Sequence, residues 1–282
     1  MIKPELQEVI DDWQLPDGER LLERIERMIR PTLMDGYFDS SPTAIVCGLQ
    51  YHLGGERDTE ELAHLASLTS SDRVLDVCCY LGGPVIQLAE SFHCRVTGID
   101  IAEPYIVVAN RIAKLSGLSD LVDFHAANAA NLPFKDSQFT VVWSQCSLNH
   151  DEVWLREFDR VLVHGGRLAL TFEIRGNNPD EYSRKWKLQD IVRLIQDLGY
   201  SIDHAEDVTE RDIEIGWKAL DRKLSEREEE FAAVLGKDWI QNTHREFGDE
   251  VERMRDGKWG NGRILATKIE RLDKIYKRSI YA

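Results

Sequence analysis

Nowhere in the 282 residues is there an uncharged apolar run close to the ~20 residues a helix needs to cross a bilayer. A membrane-spanning protein is therefore not expected. Positive charge is in deficit: 35 Lys and Arg stand against 50 Asp and Glu, a formal charge of −15, so the overall field repels phosphate backbones and anionic lipid surfaces. Nucleic acid and membranes are not expected partners. Cysteine is sparse too. The five thiols (Cys47, Cys78, Cys79, Cys94, Cys146) form an odd set without a CxxC pair, which excludes a disulfide scaffold and fits a reducing, cytoplasmic setting. Residues 1–30 lack the basic-then-apolar pattern of a secretory leader. Neither internal repeats nor low-complexity tracts occur.

What is present is enough apolar residue, 43%, to build a full core. Helical spacing over Glu19–Ile29 predicts a helix that Pro31 ends, followed by an aromatic loop with Tyr37 and Phe38, and a second helix is predicted over Thr59–Leu68. β-rich runs then alternate with amphipathic ones. Strands are expected at Arg73–Val77, Cys94–Ile99, Leu121–His125, Thr140–Ser144 and Arg167–Phe172, the last introduced by a Gly165-Gly166 turn. Helices are expected at Pro84–Ser91, Pro104–Leu115, Trp154–Val161 and Lys187–Leu198, with a weak strand at Ser201–Ala205 and a closing one at Arg263–Ile269. Such alternation implies a parallel sheet with helices on both faces. Residues ~209–257 break the rhythm. They are charged and helix-favouring, and Trp217, Leu220, Leu224, Phe231 and Leu235 suit helices that cover something, either a cap over a site or a helix pair for dimerisation.

Two segments carry the chemistry. VLDVCCYLGGPVIQLA (74–89) is a strand bearing Asp76, a turn with Gly82 and Gly83, then a helix, an arrangement that lets a ligand approach backbone amides at a helix N-terminus. VTGID (96–100) ends the next strand in Asp100, the position from which a doubly wound fold presents an acid to a ribose.

Together these segments resemble the class I S-adenosylmethionine-dependent methyltransferases, whose first motif has the form [VL]LD-x-G-x-G-x-G. The likeness extends over ~60–270. YHLGGERDTEELAHL (51–65) and WSQCSLNH (143–150) resemble the glycine, sarcosine and dimethylglycine N-methyltransferases and their quinone and tocopherol C-methylating relatives. The resemblance implies a Rossmann-like, doubly wound, mostly parallel seven-stranded α/β sheet, with N-terminal helices and a helical cap inserted before the last strand. The implied organisation is a helical lid segment over 1–70, a cofactor-binding core over 71–208, the cap over 209–260 and a closing strand with tail over 261–282. It also implies S-adenosyl-L-methionine as cofactor, with Asp76, Cys78, Tyr80 and Gly82 by its methionine part, Asp100 and Ile101 by its ribose, and Asn128 and Ala129 by its adenine. Trp143 and Ser144 then lead from the fourth strand toward the reacting methyl. Cys78 and Tyr80 stand where the family has glycine, and Asn128 where it usually has an acid.

Methyl transfer needs in-line approach of a nucleophile, so orientation and electrostatics carry it. His150 is a candidate to orient or deprotonate the acceptor, Gln145 to orient it, and Tyr37 to close over a cation. Each also has a plain packing reading, as do His52 and Trp217. Adjacent Cys78 and Cys79 have the wrong spacing for zinc, and no metal is expected. The expected activity is transfer of a methyl group to a small molecule, with an amine nitrogen preferred on the subgroup resemblance alone. Alternatives are a C-, O- or S-methyltransferase, a non-catalytic binder or scaffold whose Cys78 and Tyr80 block turnover, and an enzyme acting on protein or RNA. A homodimer is compatible with the sequence.

Overall fold

The computed structural model describes residues 41–148 and 152–269. Tyr37, Phe38, His150 and the helix expected at Glu19–Ile29 lie outside that range. Two helices, α1 (Pro42–Cys47) and α2 (Gly55–Leu65), precede the alternating core: β1 (Arg73–Val77), α3 (Gly83–Phe92), β2 (Arg95–Asp100), α4 (Glu103–Leu115), β3 (Val122–Ala126), β4 (Phe139–Gln145), α5 (Glu152–Val161), β5 (Leu162–Arg175), α6 (Leu188–Asp197) and β6 (Tyr200–Asp207). A helical run then returns the chain to β7 (Trp259–Lys268). It comprises α7 (Thr209–Asp212), a π-helix (Ile213–Trp217), α8 (Lys218–Glu226), α9 (Glu228–Leu235) and α10 (Lys237–Arg255).

The seven strands lie in the order β3-β2-β1-β4-β5-β7-β6, and only β7 runs antiparallel to its neighbours. Central β1 and β4 are buried on both faces and read as near-continuous apolar runs. The edge strands β3 and β6 alternate buried with exposed positions instead, which is why β6 gives so weak a signal in the sequence. The chain order reverses between β1 and β4, the switch point at which open α/β sheets receive ligands.

Several boundaries differ from expectation for physical reasons. Helix α2 starts at Gly55, not Thr59, because Gly54 takes a left-handed φ of 85° and turns the chain into the helix. Strand β5 is far longer than Arg167–Phe172. It pairs with β7 from Arg167 through Arg175, a ladder that needs no apolar side chain at Glu173 or Arg175. The Gly165-Gly166 turn is consequently an irregularity within β5, where its pairing with β4 shifts register.

The helical run buries Trp217, Leu220, Leu224 and Phe231 against Ile45, Val46 and Leu53 of the N-terminal segment, while Leu235 packs at the border of that cluster. The apolar stripe thus faces this chain's own helix α1 and the loop after it. No helix among the described residues is long and apolar enough to cross a membrane.

Candidate active site

The turn after β1 holds Cys78 at φ 64°, Tyr80 at 51° and Gly82 at 84°, a left-handed conformation that side chains adopt at a cost of about 1–2 kcal/mol each. The backbone geometry that glycine normally supplies is therefore present without glycine at two of three positions. Its anchors are explicit. Cys79 N–H donates to the Ile99 carbonyl at 2.9 Å, and Tyr80 N–H donates to Asp100 Oδ2 at 3.1 Å. The Tyr80 ring lies edge-on between Tyr51 and Tyr105, with centroids 5.1 and 4.7 Å away. Gly82 has a packing cause: a Cβ there would meet the Phe124 ring at 2.5 Å, and one on Gly98 would meet it at 2.6 Å. Packing of Phe124 therefore requires glycine at both positions, whatever else the turn holds.

Asp100 sits at the tip of β2, where its second oxygen accepts from Ala102 N–H at 2.9 Å. Asp76, buried in β1, has an Oδ2 with no hydrogen-bond partner among the described residues. Burial, with the negative charge of Asp100 nearby, holds its carboxyl well above the usual carboxylate range. An orphaned buried carboxyl oxygen costs about 1–3 kcal/mol unless something donates to it or neutralises its charge. A cationic or N–H-bearing ligand would do so.

A cavity of about 550 Å³ opens at these strand ends, within the size range of small-molecule sites. Cys78, Tyr80, Asp100 and Tyr105 line one end; His52, Gln145, Cys146, Glu173, Trp217 and Trp259 line the other. Among the described residues its lining contains two carboxylates, five Tyr and Trp rings, and neither Lys nor Arg. Trp217 reaches it from the π-helix, a distortion often found at functional sites, and stands edge-on to Trp259 with centroids 6.4 Å apart.

Behind the cavity lies a buried polar network. Gln145 Nε2 donates to Asp58 Oδ2 at 2.7 Å, which fixes the amide so that its Oε1 accepts from Trp143 Nε1 (2.9 Å) and Thr59 Oγ1 (3.1 Å). Asp58, only 2% exposed, also meets Arg263 from β7 at 2.6 Å and Arg211 from α7 at 2.9 Å. Asp212 accepts from Asn261 Nδ2 at 2.8 Å, and burial, followed by the nearby Asp58, pushes its carboxyl up to about 6. One residue of α2 thereby ties the fourth strand, the cap and the last strand together.

Among the sequence candidates, the cavity brings together Cys78, Tyr80, Asp100 and Gln145. Trp143 and Ser144 are fully buried behind it. Trp143 orients Gln145, and the Ser144 hydroxyl meets that of Ser147 at 3.0 Å. Ile101, 74% exposed, and Asn128, whose Oδ1 accepts from Ala130 N–H at 2.9 Å, lie beyond β2 and β3; Ala129 is buried beside them. His52, a minor candidate in the sequence, is central. Asp58, Arg211, Glu173, Trp259 and Arg263 escape a sequence reading, although charged Arg263 in the apolar strand RILATKI was a signal. The thiols are poor nucleophiles: burial pushes Cys78 up to about 12 and Cys79 well above the usual range. No cluster of three metal-ligating side chains occurs among the described residues.

Residues 74–166 match a family described as methyltransferase domain. Over 117 residues the chain is 42% identical to the 27-O-demethylrifamycin SV methyltransferase of Amycolatopsis mediterranei (strain S699), which covers 40% of this chain and 43% of that protein. The chain thus spans less than half the length of that curated relative. Phosphoethanolamine N-methyltransferase 2 of Haemonchus contortus, solved with phosphomonomethylethanolamine and S-adenosylhomocysteine, superposes with a TM-score of 0.74 at 18% identity, over 90% of this chain and 62% of that one. The [4+2]-cyclase SpnF superposes with a TM-score of 0.66 at 23% identity, over 88% of this chain and 97% of its own. The matched residues run from β1 to the irregularity in β5; the helical run, β6, β7 and the segment before β1 lie outside the match.

Proposed function

We propose that this chain transfers a methyl group from S-adenosyl-L-methionine to a small molecule, with an amine nitrogen as the favoured acceptor atom. The observation that carries the reading is the charge of the cavity: among the described residues its lining holds two carboxylates, five aromatic rings and no Lys or Arg, and buried Asp76 in β1 has an oxygen without a hydrogen-bond partner among them. Such a lining favours a cationic occupant, and both a sulfonium and an amine in its ammonium form are cations.

Asp100 has lone pairs left for ribose hydroxyls after accepting from Tyr80 and Ala102, and Ile101 flanks that position. Asp76 and the Cys78–Gly82 turn would hold the methionine part, while Asn128 and Ala129 at the exit of β3 would border adenine. When bound, the cofactor supplies an electrophilic methyl on sulfur. The chain's own part is to orient the acceptor with Gln145, whose amide is locked by Asp58 and Trp143, and to surround it with the Trp217 and Trp259 rings. His150 and Tyr37, outside the described residues, are proposed to help orient the acceptor and to close over the cation, and the protein is proposed to work in the cytoplasm.

Calorimetric titration with S-adenosylmethionine and S-adenosylhomocysteine tests the reading, with micromolar affinity expected for both. Absence of binding by the folded protein overturns it. A second reading, a fold kept for something other than methyl transfer, draws on Cys78 and Tyr80 in place of glycine and on the cyclase that shares this fold. If it holds, glycine at positions 78 and 80 will raise cofactor affinity by orders of magnitude.

A further inference from the structure

His52 is the wall between two cavities. It lines the site already described, and it also lines a second cavity of about 360 Å³ on its other side, bounded by Gly55, Ile215, Ala219 and Lys223 and reaching the surface at Arg57 and Glu60, both exposed. The imidazole itself is 6% exposed. Its Nδ1 lies 3.1 Å from the Leu53 carbonyl, and its Nε2 lies 3.0 Å from Gln50 Oε1 and 3.2 Å from the Thr59 hydroxyl.

Resting on the methyltransferase reading, we propose that His52 takes up the proton released at the acceptor and passes it to water in the rear cavity. Methyl transfer to an N–H or O–H nucleophile forms a carbon–heteroatom bond, breaks the methyl–sulfur bond and leaves the electron pair on sulfur. An ammonium acceptor must lose one proton before its nitrogen has a lone pair to attack with, and a hydroxyl must lose one as it attacks, so each transfer releases one proton. With cofactor and acceptor filling the front cavity, that proton needs another way out. A neutral imidazole reachable from both sides provides one.

The groups facing His52 suit a base that takes a proton and gives it up. Burial, the largest influence, lowers its pKa and keeps it neutral at rest. Asp58, with Oδ2 3.9 Å from Nδ1, pulls the other way, the Leu53 carbonyl also favours the protonated ring, and Arg211 opposes it. From the cavity wall Gln145 Nε2 approaches Nδ1 at 3.4 Å, and Gln50 is held in place by donating to Gln87 Oε1 at 2.7 Å. Gln50 Oε1 and the Leu53 carbonyl are both acceptors, so the protonated ring, with a hydrogen on each nitrogen, satisfies both, and the neutral ring leaves one of them short.

The test needs no acceptor. Deuterium exchange at the imidazole C2 position, followed on the His52 peptide by mass spectrometry, reports water access. The expected result is exchange that slows several-fold in Ala219→Phe, which fills the rear cavity, both with and without saturating S-adenosylhomocysteine in the front one. Protection by S-adenosylhomocysteine with no effect of Ala219→Phe overturns the relay and leaves the methyltransferase reading standing; failure of S-adenosylhomocysteine to bind overturns both. Once an acceptor is turned over, His52→Asn is expected to lower kcat about a hundredfold, with KM and cofactor affinity held and the acidic limb of the pH profile lost. An unchanged kcat and pH profile in a folded variant also overturns the relay.

Discussion

The two ends of the cavity are built differently. At the β1–β2 end every contributing residue lies within about thirty positions, and the geometry is made of backbone: a left-handed turn pinned by the Asp100 carboxylate and the Ile99 carbonyl. At the far end the residues come from positions 52, 145, 173, 217 and 259, and behind them Asp58 joins Gln145, Arg211 and Arg263. The near end is a local consequence of chain direction at the switch point. The far end exists only once the fold is complete. Substitutions at Asp58 and Asp100 should therefore fail in different ways.

Asp58→Ala gives the largest expected effect. It leaves Arg263, 7% exposed at its side chain, without its 2.6 Å partner and frees Gln145, and unpairing a buried ion pair costs about 3–5 kcal/mol. Denaturant unfolding should record that loss, with the β1–β2 turn recovering its geometry once the remaining protein is folded. If stability falls by less than about 1 kcal/mol, Asp58 is not the knot that holds the far end.

Asp100→Asn comes next and should leave the far end untouched. Replacing a charged acceptor by a neutral one weakens its bonds to ligand hydroxyls, and about 1.5–3 kcal/mol, or roughly ten- to a hundredfold in cofactor affinity, is expected by calorimetry. Unaltered affinity would remove Asp100 from the ribose role.

The contrast explains what the sequence discloses. A strand with Asp76, a turn and a second strand ending in Asp100 are neighbours in sequence, so periodicity and spacing expose them, and the central strands read clearly because burial on both faces leaves them almost wholly apolar. Edge strand β6 and the charged end of β5 are stabilised by ladder hydrogen bonds to β7, which leave no hydrophobic trace. Neither Arg211 nor Arg263 can be told from a surface arginine until the partner at position 58 is known. Trp143, expected to lead toward the reacting methyl, lies fully buried within β4 and acts on the cavity only through its hydrogen bond to Gln145.

A smaller effect probes the far end through pH. Asp212 has a folded-state pKa raised to about 6 from an ordinary 3.8, so the folded protein binds this proton more tightly than the unfolded chain. Its contribution is fully favourable below 3.8 and is lost as pH rises through 6. Between pH 7 and pH 5 this single group should add about 1 kcal/mol of stability to the native protein relative to Asp212→Asn, which cannot titrate. Unfolding curves of both proteins at the two pH values give the number as a difference of differences, cancelling the other carboxylates. A gap of zero, or one of opposite sign, would mean that Arg211 and Asn261 dominate and hold Asp212 ionised.

The smallest effect is expected from Asn128→Ala, and it tests how far the near end extends. The Asn128 side chain is exposed at the exit of β3, just beyond the Ala127 N–H that donates to the Asp100 carbonyl at 2.9 Å, and its Oδ1 already accepts from Ala130 N–H. Losing that local bond should cost about 0.5–1.5 kcal/mol of stability wherever adenine lies. Cofactor affinity is the informative readout. If Asn128 borders adenine by its side-chain carbonyl, one neutral hydrogen bond at an exposed position is worth at most a severalfold loss, well below that of Asp100→Asn. No loss would confine recognition of the adenine to backbone and apolar contacts around Ala129, and a loss equal to that of Asp100→Asn would show that the turn after β3 is as integral to the cofactor site as the tip of β2.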